Sequence, residues 1–326
     1  MTKDCIAIDV GGTTISGGYY PSNTTRCLSQ KSMPTEPGKE GVSNIMTQLI
    51  KDLSMSKKGS ELVLAIGFPG NFSQETDYVV APGSLENLST IPGDWEGVNL
   101  KDYCEEIVAA IFSSDPPRLA VLVNDAIAQF VGAFYDAIST GYIPNHGDKY
   151  AFLGMGTGLG GGVGTAMLEK KDGTETMRLN LHTDGHLFDI LFPDHEIAEQ
   201  KLSGPSLSKR LTCELNMIHA IDELSVSQKK NLQEYIADLT YVMQVIHDGT
   251  LQKRSEWTPE ETRSVKGTRH FFLGGGVGQK GVFSQYIIDE LQLNWNSSQS
   301  LSIIPVENSK IAALNGLCYL SRKGDL

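Results

Sequence analysis

Three glycine-rich turns and one Asn-Asp pair carry the residue types that handle phosphate. In DVGGTT an aspartate, Asp9, leads into Gly11, Gly12, Thr13 and Thr14, and in LGMGTGLGGG the residues Gly156, Thr157 and Gly158 form a second such turn. Glycine lets backbone N–H groups approach a phosphate closely, and threonine hydroxyls add donors around the same concavity. Two cradles in one chain point to a nucleotide held between two lobes. Asp9, at a strand end, is placed to orient a shell water of Mg²⁺, an ion that keeps several waters in nucleotide sites. The third turn, LGGGV, puts Gly274, Gly275 and Gly276 after an apolar run. It either packs a helix on a strand or forms a floor beneath adenine and ribose.

Asn124 and Asp125 follow the apolar run LAVLV and open a helix. Both residue types cap helices well. The other role for Asp125 is chemical: a carboxylate at the carboxyl end of a buried strand can accept the proton of an attacking hydroxyl in phosphoryl transfer, where positioning matters more than an unusual pKa. No lysine follows either Gly/Thr turn, so neither is a GxxxxGK[ST] loop. GMGTGLGGG leads into a strand and not a helix, which removes the dinucleotide fingerprint.

The elements that must position these residues alternate between strand and helix. Apolar runs predict strands at 5–10, 16–20, 26–30, 62–67 and 119–123, with helices at 41–53, 99–112 and 125–140. The second half opens in the same way, with strands at 150–153 and 161–166 around a glycine turn, so an internal duplication of one α/β unit is expected. Helices are predicted at 205–215, 226–249 and 309–321, and a charged, aperiodic surface loop at 252–268. The fold class is α/β with two lobes, residues 1–123 and 124–308, the last helix returning to the first lobe.

The 326 residues are enough for two packed domains. With 27 basic against 39 acidic residues the net charge is −12, which gives no electrostatic footprint for nucleic acid or an anionic membrane. A small substrate is the expected partner. No apolar run approaches the ~20 residues of a membrane span, no signal peptide fits MTKDCIAIDV, and five scattered cysteines form no framework. A cytoplasmic protein with reduced thiols is expected.

In this order the motifs resemble those of the ROK group of sugar kinases and the related bacterial glucokinases, members of the actin, Hsp70 and hexokinase superfamily. The resemblance runs nearly end to end. DVGGTT resembles the first phosphate motif, GFPG at Gly67 to Gly70 the proline-glycine loop, and IPGDWEGVNL at Ile91 to Leu100 the PGWxGVxL segment. The Asn124-Asp125 pair resembles the sugar and catalytic pair, LGMGTGLGGG the second phosphate motif and LGGGV the adenosine motif. AEQKLSGPSL, from Ala198 to Leu207, resembles the helix entry that carries a sugar-binding glutamate, here Glu199.

The resemblance implies a two-lobed ribonuclease H-like fold, ATP and Mg²⁺ in the cleft, and Asp125 as general base toward a hexose hydroxyl. It implies a sugar held by Asn124, His186 and Glu199, with Gly70 and Asn71 close by. A glutamate common in the group, two residues before the Gly-His pair, is Thr183 here, and Asp184 is the neighbouring carboxylate that can substitute. The CxCGxxGC zinc motif is absent, and His182, His186 and His195 lack cysteine partners, so no structural zinc is expected. The expected activity is 6-phosphorylation of a glucose-like hexose. The alternatives are an N-acetylated hexosamine as acceptor, polyphosphate as donor, or a non-catalytic sugar-binding regulator. A homodimer is common in the resembled group.

Overall fold

The computed structural model describes residues 3–56, 61–70, 85, 88, 90–112, 116–171, 173–182, 187–252, 264–297 and 300–322. The chain divides by its own contacts into two compact units, Met1–Asp136 with Lys310–Leu326, and Ala137–Ser309.

Unit 1 is built on a five-stranded sheet. Strands β1 (Asp4–Val10), β2 (Thr14–Tyr20) and β3 (Ser29–Pro34) form an antiparallel meander. Strands β4 (Leu62–Phe68) and β5 (Arg118–Asn124) then add in parallel, giving the order β3-β2-β1-β4-β5. All seven residues of β1 and of β4 are buried, as continuous apolar runs in the parallel part of a covered sheet should be. Helix α1 (Gly38–Ser54) buries Val42, Ile45, Met46, Leu49, Ile50 and Leu53, the i, i+3, i+4 stripe of an amphipathic helix. Helix α2 (Leu100–Ile111) starts at Asn99, whose side chain accepts from the N–H groups of Lys101 and Asp102 at 3.0 and 3.2 Å.

Helix α3 (Asp125–Ser139) follows β5 without a loop. Its small residues meet those of the last helix of the chain, Ser309–Ser321: a Cβ built on Gly132 would collide with the Ala312 carbonyl, and one on Gly316 with that of Ala128. Small residues four apart on both helices let the two backbones touch. This contact joins α3 to the last helix within unit 1, which runs to Asp136.

Unit 2 repeats the topology. Strands β6 (Lys149–Met155), β7 (Leu159–Lys171) and β8 (Thr174–Leu181) are antiparallel, and β9 (His270–Gly274) and β10 (Ser302–Pro305) add in parallel, giving β10-β9-β6-β7-β8. Read from β8 this is the same order as in unit 1. Helices α4 (Ala198–Leu202), α5 (Gly204–Leu211), α6 (Val226–Asp248), α7 (Gly275–Gly278) and α8 (Ser284–Asn294) lie between β8 and β10 in the chain, and the last helix, α9, is Ser309–Ser321. One core joins Leu153, Met155, Leu159, Leu207, Leu239 and Phe271.

Local differences from the sequence expectation have local causes. The third strand runs from Ser29 and not from residue 26, because Leu28 donates to the Tyr19 carbonyl and closes the preceding loop first. Helix α5 stops at Leu211, short of the predicted 215, where Thr212 turns left-handed (φ 52°). The strand β8 and helix α8 carry weak periodicity and are not legible in advance. Of the predicted loop 252–268, residues 253–263 lie outside the described part; within the rest Val265 and Thr268 are fully buried.

Candidate active site

Three parallel strand ends in unit 1 bring the chemically capable residues together. In register, Asp9 pairs with Gly67, Gly67 with Val123 and Phe68 with Asn124. A Cβ built on Gly67 would lie 3.5 Å from Asp9 Oδ1 and 3.6 Å from the Asp125 Cα, so the missing side chain leaves the Asp9 carboxyl and the Asp125 backbone beside one small space.

The same strand holds two buried aspartates in opposite states. Asp4 accepts from the Tyr19 hydroxyl at 2.6 Å and from the Ser22 N–H at 2.8 Å. Asp9, 7% exposed, has its Oδ1 buried with no hydrogen-bond partner. A folded protein rarely leaves such an atom unsatisfied, since each costs about 1–3 kcal/mol. Burial, and then the charge of Asp125, hold the Asp9 carboxyl well above the ordinary range. A cation or a coordinated water would relieve both terms, and an orphaned hard oxygen donor beside a second carboxylate fits hydrated Mg²⁺.

Asp125 is half-buried, and desolvation pushes it up to about 6, against the opposing hydrogen bond from the Ala126 N–H at 2.9 Å. It therefore remains ionised at neutral pH yet is a better base than a free carboxylate. Asn124 fills the capping role: its Oδ1 accepts from the same Ala126 N–H at 2.9 Å. Its Nδ2 donates to the Gly70 carbonyl at 3.1 Å, which fixes the loop end at a residue with φ +109°.

The first glycine turn is pinned by a residue the motif did not flag. The Thr35 hydroxyl donates to the Gly11 carbonyl at 2.6 Å and its N–H to the Thr13 carbonyl at 3.1 Å, while Gly11 N–H donates to Thr14 at 3.1 Å. A Cβ on Gly12 would sit 2.8 Å from the Thr90 carbonyl, so glycine there is a packing requirement. The Thr90 hydroxyl is itself buried without a partner. Thr13 is exposed and Thr14 half-exposed.

The unit 2 turns are made of backbone. Gly156 donates to Gly158 at 2.9 Å, Gly154 pairs with Gly274, and the Ser309 hydroxyl accepts from Gly275 N–H at 2.8 Å. Gly275 has φ +72°, and a Cβ there would strike the Met155 carbonyl. Gly156 and Gly276 are different: a Cβ on either meets nothing within 4 Å. Among the described residues nothing in the packing demands glycine at these two positions, and the open space they leave fits a phosphate or nucleoside. Thr157 between them is exposed.

Gly204, unnoticed as a site residue, donates to the Gly156 carbonyl at 2.7 Å and ties the start of α5 to this turn. The Ser-Gly-Pro sequence was the available signal, a proline inside a helix start. Glu199 on α4 accepts from the N–H of Leu159, the residue after the turn, and burial raises its pKa. Asn71, Thr183, Asp184 and His186 lie outside the described residues. Among the described residues no three His, Cys, Asp or Glu side chains form a metal cluster, and no helix is long and apolar enough to cross a membrane.

No family model and no curated protein matches the chain. Solved structures do. A ROK family glucokinase from Streptomyces griseus, in complex with glucose and AMPPNP, is similar at 20% identity and TM-score 0.60, over 98% of this chain and 100% of its own. A ROK hexokinase from Thermus thermophilus is similar at 16% identity and TM-score 0.63, over 99% of each chain. The inorganic polyphosphate/ATP-glucomannokinase of Arthrobacter sp. strain KM is similar at 18% identity and TM-score 0.59, over 98% of this chain and 99% of its own. The chain thus has the hexokinase-type α/β fold of the ROK sugar kinases, the group that its motifs resemble.

Proposed function

We propose that the chain is an ATP-dependent sugar kinase that transfers the γ-phosphoryl group to a hexose hydroxyl, glucokinase-like in phosphorylating the 6-position. The observation that carries the reading is the pair at the strand ends of unit 1: Asp125, half-buried with its pKa pushed up to about 6, and Asp9, which feels the charge of Asp125 and has one carboxyl oxygen buried without a partner.

The chemistry follows from that pair. Asp125 accepts the proton of the attacking hydroxyl as the oxygen bonds to phosphorus and the phosphorus bond to the ADP oxygen breaks. Asn124 is spent on the helix cap and on Gly70, so its part is to hold the loop against which the sugar rests. In unit 1 the first glycine turn would face the transferred phosphate, its Gly11 N–H being spent inside the turn on Thr14; within unit 2 the open positions at Gly156 and Gly276 leave room for a phosphate or nucleoside. Mg²⁺, oriented through water by Asp9, would neutralise charge on the phosphates when bound. Glu199 would accept a sugar hydroxyl. A site in a cytoplasmic enzyme of this kind owes most of its rate to positioning and charge neutralisation.

ADP formation from Mg·ATP, measured across glucose, mannose, fructose and N-acetylated hexosamines, tests the reading. Sugar-dependent turnover that Asp125→Ala abolishes is the expected outcome. A folded protein that turns over none of them, with ATP or polyphosphate as donor, would sink it.

A further inference from the structure

Two buried polar atoms border the first glycine turn. One is Asp9 Oδ1, two residues before Gly11 in the chain; the other is the Thr90 hydroxyl, and neither has a hydrogen-bond partner. A folded protein rarely leaves a buried hydroxyl unspent, and where only volume is needed valine fills the same space without that loss. Thr90 lies against the turn itself. A Cβ built on Gly12 would sit 3.1 Å from the Thr90 Cβ and 2.8 Å from the Thr90 carbonyl oxygen, so glycine at position 12 is what admits Thr90 this closely. Thr90 as a whole is half-buried, and it borders the surface at the turn.

The segment that carries Thr90 is held independently of the turn. Ile91 is fully buried, the Pro92 carbonyl accepts from the Gly38 N–H at the start of α1 at 2.7 Å, and Trp95 packs edge-on against Phe68 and Tyr103 with ring centroids 5.6 and 5.7 Å apart. Core contacts therefore position the hydroxyl, and no hydrogen bond of its own does. A donor fixed in this way needs no reorganisation when charge develops beside it. The turn lacks such a donor, because its Gly11 N–H is spent on Thr14 and the motif brings no lysine.

We propose that Thr90 is a substrate-binding residue of the unit 1 site, its hydroxyl donating a hydrogen bond to an oxygen of the terminal phosphoryl group of the donor at the first glycine turn. The inference rests on the kinase reading above and adds to it a residue from outside the three glycine motifs. A hydroxyl donating to a charged phosphoryl oxygen makes a short, charge-assisted bond that strengthens as charge gathers on the transferred group. Asp9 and Thr90 then serve the same ligand from complementary chemistry, the carboxyl toward its counter-ion and the hydroxyl toward its oxygens.

Thr90→Val and Thr90→Ser, compared with wild type, test it by melting temperature without ligand, by calorimetric affinity for ATP and for ADP, and by kcat and KM for the identified sugar. Thr90→Val removes a buried hydroxyl that has no partner, so it should melt at or above the wild-type temperature. It should lower kcat at least about tenfold and weaken ATP about threefold, with ADP affinity and sugar KM unchanged, because ADP lacks the terminal phosphoryl group. Serine keeps the hydroxyl and should restore most of both. Wild-type kcat and ATP affinity in Thr90→Val would overturn the role of Thr90 and leave the kinase reading standing. A raised sugar KM with ATP affinity intact would overturn it as well, by placing the hydroxyl on the acceptor, and so would a melting temperature well below wild type, by giving the hydroxyl to the fold. A wild-type chain that binds ATP but phosphorylates no sugar would overturn the kinase reading, while the comparison of ATP with ADP still decides Thr90. A wild type that binds neither ATP nor polyphosphate overturns both.

Discussion

The two units build their turns from one pattern, strand, glycine turn, strand, yet they arm them differently. In unit 1 the turn lies beside Asp9 and Asp125, so the strand ends carry two carboxyl groups and one carboxyl oxygen is unsatisfied. In unit 2 the equivalent strand ends, at Met155 and Gly274, present backbone, a threonine and open volume, with Glu199 tied to the turn through Leu159. The common topology, β3-β2-β1-β4-β5 against β8-β7-β6-β9-β10, makes this a controlled comparison. The fold places glycine turns at the carboxyl ends of parallel strands in both copies, and on the proposed function the side chains beside each turn decide which copy would do chemistry and which would hold the donor. If so, substitutions in unit 1 should act on kcat and those in unit 2 on KM.

The largest expected effect is at Asp125. Replacement by asparagine keeps a hydrogen-bond acceptor for the Ala126 N–H but removes the base, and kcat should fall by about 10²–10⁴ with donor affinity kept. A fall in affinity with kcat intact would erase the contrast. In unit 2, Gly276→Val fills volume that packing does not use, so the fold should hold while KM for ATP rises at least about tenfold, worth roughly 1.4 kcal/mol. Gly275→Val is the internal control. It forces a side chain into the Met155 carbonyl at φ +72°, and should destabilise unit 2 by about 1–3 kcal/mol or more, seen as a lower melting temperature. Glu199→Gln removes a charged acceptor while keeping its shape, and should raise the sugar KM about tenfold with little change in kcat. An unchanged sugar KM would assign Glu199 to the Leu159 backbone alone.

The turns and the Asn-Asp pair were legible because their residue types are dictated locally: a tight reversal demands glycine, and a strand end followed by a helix demands a cap. What held those turns in place was not. Thr35 braces the first turn from the residue after β3, Gly204 braces the second from a helix start, and Gly67 matters because of what its missing side chain exposes. Each is a contact between segments far apart in sequence, with no local pattern to announce it. Strand β3, SQKSMP, was misplaced for the complementary reason. An edge strand with one solvated face needs neither alternation nor β-branched residues, and only the closing bond from Leu28 to Tyr19 sets where it begins.

The smallest effect is on stability, and it has the opposite sign to the effect on rate. Asp125 has a folded-state pKa of about 6, above that of an unfolded aspartate near 3.9, so the folded chain binds this proton more tightly than the unfolded chain does. The penalty is absent below about pH 4, grows as pH rises toward 6, and is complete above it. Asp125→Asn escapes it. At pH 7.5 the variant should therefore be more stable than wild type by roughly 1–2 kcal/mol, a few degrees in melting temperature, and the difference should vanish near pH 4. Activity runs the other way, since kcat/KM of the wild type should fall as pH drops through about 6 and the base takes up its proton. Asp9→Asn should also stabilise, its carboxyl being raised by burial and by Asp125. Asp4→Asn should not, because that carboxylate is already satisfied by Tyr19 and Ser22. Two aspartates on one strand would then separate, Asp9→Asn stabilising and Asp4→Asn not, as expected if the Asp9 end is spent on the proposed function and the Asp4 end on the fold.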